Sequence, residues 1–366
     1  MARQAVLLGV GDVGPIHQIE GSYGALVRDT LLQADIRFAQ VERVYSERGH
    51  LQLHSGGRHS RVPPAMASIF TECGFNVVSV ASNHAMDWGE EALLDTIELL
   101  RGQGLQTVGG GRDIAEARQP AILECNGLRV AVLGYCSILR EGYAAGHDKP
   151  GLAPLRAHTY YEAFDYQPGV PPRVVTVPHE ADLANLIEDV RAAKRSCDRV
   201  VLSLHWGIHF IPRVIADYQR TVAHAAFDAG ADLILGHHAH TPKAIELYDG
   251  KACFYSLSNF LMSSPAKTPQ AAAEFCAQYG VTLDPDYPHL PYGADAKRSL
   301  VAKAVFSKDA PTRASFLPAM IDRRLCPEIL RRDDPRFDEI VRFMEWASEG
   351  FTHRFVAEGD EVIVSS

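Results

Sequence analysis

The sequence has little that would mark a membrane, nucleic-acid or disulfide-built protein. Its seven cysteines are odd in number, dispersed and never in Cys-x-x-Cys spacing. That excludes a thiolate metal site of the usual spacing and predicts reduced thiols in a cytoplasmic protein. The apolar run over residues 5–10 stops short of Asp12, too short for a signal-peptide core. No stretch approaches the roughly 20 apolar residues that span a bilayer, so no membrane partner is expected. Lys and Arg number 36 against 45 Asp and Glu, a formal charge of −9 without a basic block, so nucleic acid is not an expected partner either. Internal repeats and low-complexity segments are absent. What remains is a chain of 366 residues, 46% hydrophobic and 22% charged, long enough for one large domain or two ordinary ones. Its sixteen histidines are the conspicuous excess.

Short apolar runs alternate with helical spacing. Strands are predicted at 5–10, 36–41, 77–81, 105–108, 121–123, 130–135, 199–204, 233–235, 245–247 and 252–256, with helices at 22–34, 65–73, 90–103, 181–196 and 215–229. Two later strands, 300–306 and 314–320, precede a helix at 334–349. This is an α/β pattern, and the late strands with no helix between them point to a second, partly antiparallel sheet. Residues 139–178 and 265–297, rich in Pro, Gly or Tyr and without periodicity, are predicted as an ordered loop or lid and as a flap. No linker divides the chain, so a single domain over 1–366 is expected, with its core at about 5–262.

In open α/β sheets ligands bind beyond the carboxyl ends of the strands. The first predicted strand is followed by Gly11-Asp12 and the second by Glu42; the third runs into Ser82-Asn83-His84-Ala85-Met86-Asp87. Later strand ends deliver His205-Trp206-Gly207-Ile208-His209 and Gly236-His237-His238-Ala239-His240. Each alone reads as a turn, a helix cap or a packed imidazole. Together they offer carboxylate, amide oxygen and neutral imidazole, the donors a hard or borderline divalent ion wants. One or two ions of manganese, zinc or iron are expected.

The same residues resemble a known family. Gly11-Asp12, Val41-Glu42, Ala81-Ser82-Asn83-His84-Ala85-Met86-Asp87-Trp88-Gly89, His205-Trp206-Gly207, the run from Gly230 to His240, and Phe254-Tyr255-Ser256-Leu257-Ser258-Asn259-Phe260 resemble the CapA (poly-γ-glutamate capsule synthesis protein) family. That family is a branch of the calcineurin-like metallo-dependent phosphatases. The resemblance implies a four-layer αββα sandwich with a site between the loops of two facing mixed sheets. It makes Asp12 a ligand of one ion and Glu42 the bridging acid. Asn83, His205 and His238 would bind the second ion, and His240 the first. His84 matches the residue those phosphatases use near the leaving group. Two departures stand out: the usual Asp-x-His reads Asp12-Val13-Gly14, and His209 stands where many CapA-like chains have Glu. Capsule members also tend to carry a membrane anchor, which this sequence does not show.

Three functions fit such a site. The first expectation is epimerisation at an α-carbon of a peptide or amino-acid-derived substrate, because lasso-peptide epimerases are similar to this branch. It needs acid/base groups flanking the ion, and His84, Asp87, His209 and His289 are the candidates. Hydrolysis of phosphoester or amide bonds is the alternative, with His84 donating to the leaving group. A non-catalytic metal-binding protein of poly-γ-glutamate synthesis is the third. Lys297-Arg298 offer a possible anion site, and Tyr160–Tyr166 a groove lining or core packing.

Overall fold

The computed structural model describes residues 4–19, 21–53, 55, 60–166 and 169–366. Two large mixed sheets dominate. The first carries the parallel neighbours Gln4–Gly14, Ile36–Val41, Val77–Ser79 and Gln106–Val108; on the far side of Gln4–Gly14 it continues antiparallel through Arg298–Ser307 and Arg313–Ile321. The second has the parallel run Leu128–Cys136, Arg199–His205, Leu233–His237 and Lys251–Phe254 at its centre, with antiparallel edges.

Strand alternation stacks the layers. Along the first strand Ala5 and Leu7 face one core while Leu8 and Val10 face another. On the second sheet Val130, Val132, Val201, Leu233 and Leu235 join Ala5 and Leu7 between the sheets. Their sequence neighbours Ala131, Leu133, Val200, Leu202 and Ile234 pack instead under Leu186, Val190, Val222 and Phe227 of the helices Glu180–Ser196 and Asp217–Ala229. On the opposite flank Phe70, Leu93 and Ile97 of helices Ser68–Cys73 and Glu90–Gly102 cover the first sheet. The period-two pattern thus buries both faces of both sheets, and the result is the αββα sandwich.

Several elements differ from expectation. The helix predicted over 22–34 shrinks to Arg28–Leu31, because Ser22 Oγ accepts from Gly24 N at 3.1 Å and starts a turn that competes with helix. Within 139–178 the loop carries an antiparallel hairpin, Ala157–Glu162 with Arg173–Pro178. Its faces are largely exposed, so it lacks an apolar period, and Tyr160, Tyr161, Phe164 and Tyr166 are all exposed rather than packed in a core. The 265–297 flap contains helix Pro269–Tyr279, started by a Thr268 cap with proline in the first turn and ended at left-handed Gly280. It buries none of its residues, hence the missing apolar stripe. Strand Asn259–Met262 and the closing hairpin Arg354–Glu358 with Glu361–Ser365 also went unpredicted. All seven cysteines are unpaired, as expected. Among the described residues no helix is long and apolar enough to cross a membrane.

Candidate functional site

Asp12 sits inside its strand, not in a following loop: Gln4–Gly14 runs past it, with pairing irregularities beside Asp12 on both neighbours. Asp12 N donates to Ser258 O at 3.0 Å. A Cβ on Gly11 would lie 1.9 Å from that same oxygen, so the glycine permits the close approach of strand and turn that aims Asp12. From the same sheet, Val41 leads into Glu42, and the turns after Val77–Ser79 carry Asn83, His84 and Asp87. His205 ends one strand of the facing sheet in register with His237, which ends the next. His238 and His240 follow with φ of 87° and 55°, the left-handed region that non-glycine residues enter at about 1–3 kcal/mol each. Strain at two histidines of one turn is a mark of a functional constraint.

The two sheets bring these side chains into contact. His205 Nε2 lies 2.8 Å from Asn83 Oδ1 and 3.2 Å from His238 Nδ1, and the latter two are 3.3 Å apart. Glu42 Oε2 is 3.8 Å from His205 Nε2 and accepts from Ser82 Oγ at 2.7 Å. Ligand atoms of Asp12, Glu42 and His205 all lie within 4.8 Å of one another. A divalent ion with bonds of about 2.1 Å sets neighbouring donors about 3.0–3.4 Å apart, close to the 2.8–3.3 Å between the Asn83, His205 and His238 atoms. The donors are also under-used by the protein. Asp12 Oδ1 and Glu42 Oε1 are buried with no hydrogen-bond partner, an expense that a bound cation offsets. These residues fit a divalent ion.

The electrostatics agree. Burial pushes Asp12 up to about 8, against the pull of the His238 amide and Arg43. Burial and the Asp12 charge raise Glu42 well above its ordinary range. Burial holds His205, His238 and His240 well below theirs. Neutral imidazoles are the metal-binding form, and two acids this deep need a cation to ionise together.

His240 stands beside this cluster, its Nδ1 3.5 Å from Asp12 Oδ2 and 2.7 Å from Asn259 Oδ1. The Asn259 amide donates to the carbonyls of His240 and Ala296 at 3.2 and 3.0 Å. Its oxygen therefore receives the Nδ1 proton, leaving Nε2 as the free lone pair. His84 Nδ1 bonds Asp87 Oδ2 at 2.7 Å, and Tyr143 donates to Asp87 Oδ1 at 2.9 Å. Asp87 is fully buried and His84 only partly so, so a held carboxylate orients an imidazole that still reaches solvent.

The remaining candidates divide. The His209 ring packs on His238, centroids 3.7 Å apart, and stacks on Phe210 at 4.4 Å; burial lowers it to about 3. His289 is exposed, its Nδ1 3.3 Å from Ser264 O and its ring edge-on to His17; it shares none of the contacts that join the other candidates. The Lys297-Arg298 pair is already neutralised, by Asp284 at 2.6 Å and by Asp295 and Glu339. Sequence reasoning missed Arg43, Tyr143, Asn259 and His237. His237 continues the Leu233, Leu235 alternation into the inter-sheet core, tilted against Phe38, with neither ring nitrogen hydrogen-bonded and Nδ1 3.8 Å from Asp12 Oδ1. That alternation was the signal that could have found it.

Comparison with known proteins places this geometry in context. The profile of the bacterial capsule synthesis protein PGA_cap matches residues 17–264. The chain is 32% identical over 204 residues to the PGA biosynthesis protein CapA of Bacillus subtilis, covering 56% of this chain and 47% of that protein. It is 30% identical over 191 residues to the capsule biosynthesis protein CapA of Bacillus anthracis, 52% of this chain and 41% of that one. The chain thus spans about half the length of the curated relatives it matches. Among solved structures, a calcineurin-like phosphoesterase from Bacillus subtilis aligns over 95% of this chain and 97% of its own, at 10% identity and a TM-score of 0.37.

Proposed function

We propose, from the premise that this chain belongs to the bacterial capsule synthesis protein PGA_cap family, that it is a divalent-metal-dependent enzyme acting on a peptide or amino-acid-derived substrate. The reaction class is cleavage or transfer at an amide or phosphoester bond. Asn83, His205, His238 and Glu42 would hold the ion, with Asp12 and His240 adjoining them. When bound, the ion supplies Lewis-acid polarisation of a carbonyl or phosphoryl oxygen. The observation that carries the reading is the His84–Asp87 contact at 2.7 Å, one residue after the Asn83 donor. Asp87, fixed by Tyr143, holds the His84 proton at Nδ1 and orients Nε2 toward the bound molecule, where it donates to a leaving nitrogen or oxygen.

Epimerisation at an α-carbon is the second reading, and His209 is the observation in its favour. Its ring packs on His238, centroids 3.7 Å apart, which puts a second imidazole beside the donor cluster to pair with His84. His289 is not part of either reading, because its contacts run to Ser264 and His17.

One experiment separates the two. Manganese-loaded protein is incubated in D₂O with a γ-glutamyl peptide and with an aryl phosphate, and products are followed by mass spectrometry and NMR. Release of amine, acid or phosphate is the expected result. Deuterium at an α-carbon without bond cleavage selects epimerisation instead. Neither change would overturn the assignment as an enzyme on these substrates and leave a metal-binding capsule protein.

A further inference from the structure

Arg43 lies beside the donor cluster and has no part in the reading above. It is 2% exposed, yet among the described residues no carboxylate lies within ion-pair distance of its guanidinium. Its Nε donates to Gly14 O at 3.0 Å, and one terminal nitrogen donates to Ser263 O at 2.7 Å and Ser264 Oγ at 3.1 Å. Ser264 Oγ in turn is 2.5 Å from Tyr292 OH, and the Tyr292 ring stacks on His240 at 4.3 Å. The cation is therefore clamped by neutral oxygens, and the charges it faces are the buried Asp12 and Glu42. An unpaired guanidinium this deep is costly unless nearby charge balances it.

Two consequences follow. Sterically, a Cβ on Gly14 would lie 2.7 Å from Arg43 Cγ, 3.2 Å from Glu42 Cβ and 3.2 Å from Met262 Sδ. No donor side chain at position 14 can enter that space while Arg43 fills it. Electrostatically, the Arg43 guanidinium is a permanent positive charge held next to Glu42 by Gly14 O, Ser263 O and Ser264 Oγ. A second divalent ion in this buried pocket would be repelled by Arg43 as well as by the first ion.

We propose that Arg43, by filling the space a donor at position 14 would need and by adding a fixed positive charge next to Glu42, keeps a second metal ion out, so that the pocket takes one divalent ion per chain, at Asn83, His205, His238 and Glu42. This rests on the metal-dependent reading above. Its test counts ions and does not depend on turnover. Purified protein is stripped with EDTA and dialysed against increasing Mn²⁺; bound metal is counted by mass spectrometry and its EPR spectrum recorded. Saturation at one ion per chain, with the six-line signal of isolated Mn²⁺, is expected. Two ions per chain, or an exchange-coupled spectrum, would overturn the role given to Arg43 while leaving the metal-dependent reading intact. No bound ion at all would overturn that reading and this proposal with it. In the folded Gly14→His/Arg43→Ala double variant, verified by circular dichroism, the count rises to two. A count still at one in that folded variant would show that Arg43 does not limit the stoichiometry.

Discussion

Replacing Asp12 by asparagine tests whether the pocket is built for a cation, because it separates the needs of folding from those of binding. Asp12 is fully buried, one of its oxygens accepts no hydrogen bond, and burial pushes it up to about 8. Without metal, the folded protein must keep this acid protonated while the unfolded chain ionises it near its ordinary value of 3.8. A folded-state value above the unfolded one gives stability that is complete below pH 3.8 and is lost as pH rises toward about 8. At pH 7 the loss is about 4 kcal/mol at most, taking about 1.4 kcal/mol per pH unit over the roughly three units crossed. The amide introduced by D12N carries no such charge. In EDTA the D12N variant is therefore more stable than the parent. At roughly 2 cal/mol/K of unfolding entropy per residue, the gain is up to about 5 °C in Tm. Differential scanning calorimetry in EDTA from pH 4 to 8 shows the gap opening as pH rises. Saturating Mn²⁺ narrows or reverses it, since a ligand at about 100 times its Kd stabilises the parent by roughly 2.7 kcal/mol. A D12N variant less stable than the parent throughout that range in EDTA, with no pH trend in the gap, would refute the reasoning.

Five other substitutions follow from the geometry. Asn83→Ala and His238→Ala are expected to lower Mn²⁺ affinity by at least tenfold with native-like circular dichroism; metal retention equal to the parent in dialysis would remove both from the ligand set. His84→Ala retains metal but loses on the order of 10²–10⁴ in kcat on whichever substrate is turned over. Tyr143→Phe, which only releases Asp87, loses less, and the reverse order would misplace the proton donor. Gly11→Ala drives a methyl into Ser258 O and is expected to cost on the order of 3 kcal/mol in urea denaturation; a cost within error of zero would mean that the strand and turn are free to separate.

Much of this arrangement was legible in the sequence because strand periodicity and strand ends share one logic. Buried parallel strands are apolar runs, and whatever polar residues follow them collect on one edge of the sheet. Asp12, Glu42, Asn83, His205, His238 and His240 were readable for that reason, and the structure brings them together. Elements that bury little escaped: helix Pro269–Tyr279 and the hairpin at Ala157–Glu162 and Arg173–Pro178 have no stripe or alternation to detect. Supporting residues escaped for another reason. Asn259, Tyr143 and Arg43 act through contacts 19, 56 and up to 221 positions away in the chain, which no local pattern encodes. His289 was singled out from composition alone. It lies in a Pro- and Asp-rich flap, where no periodicity says what a side chain faces, and the structure places it exposed and edge-on to His17.

The central claim is that loops from both sheets converge on a divalent ion. The most direct measurement is anomalous diffraction at the manganese edge from crystals grown with excess Mn²⁺. The account predicts one strong peak within bonding distance of Asn83 Oδ1, His205 Nε2 and His238 Nδ1. Peaks confined to the protein surface, with those three atoms turned apart, would contradict it.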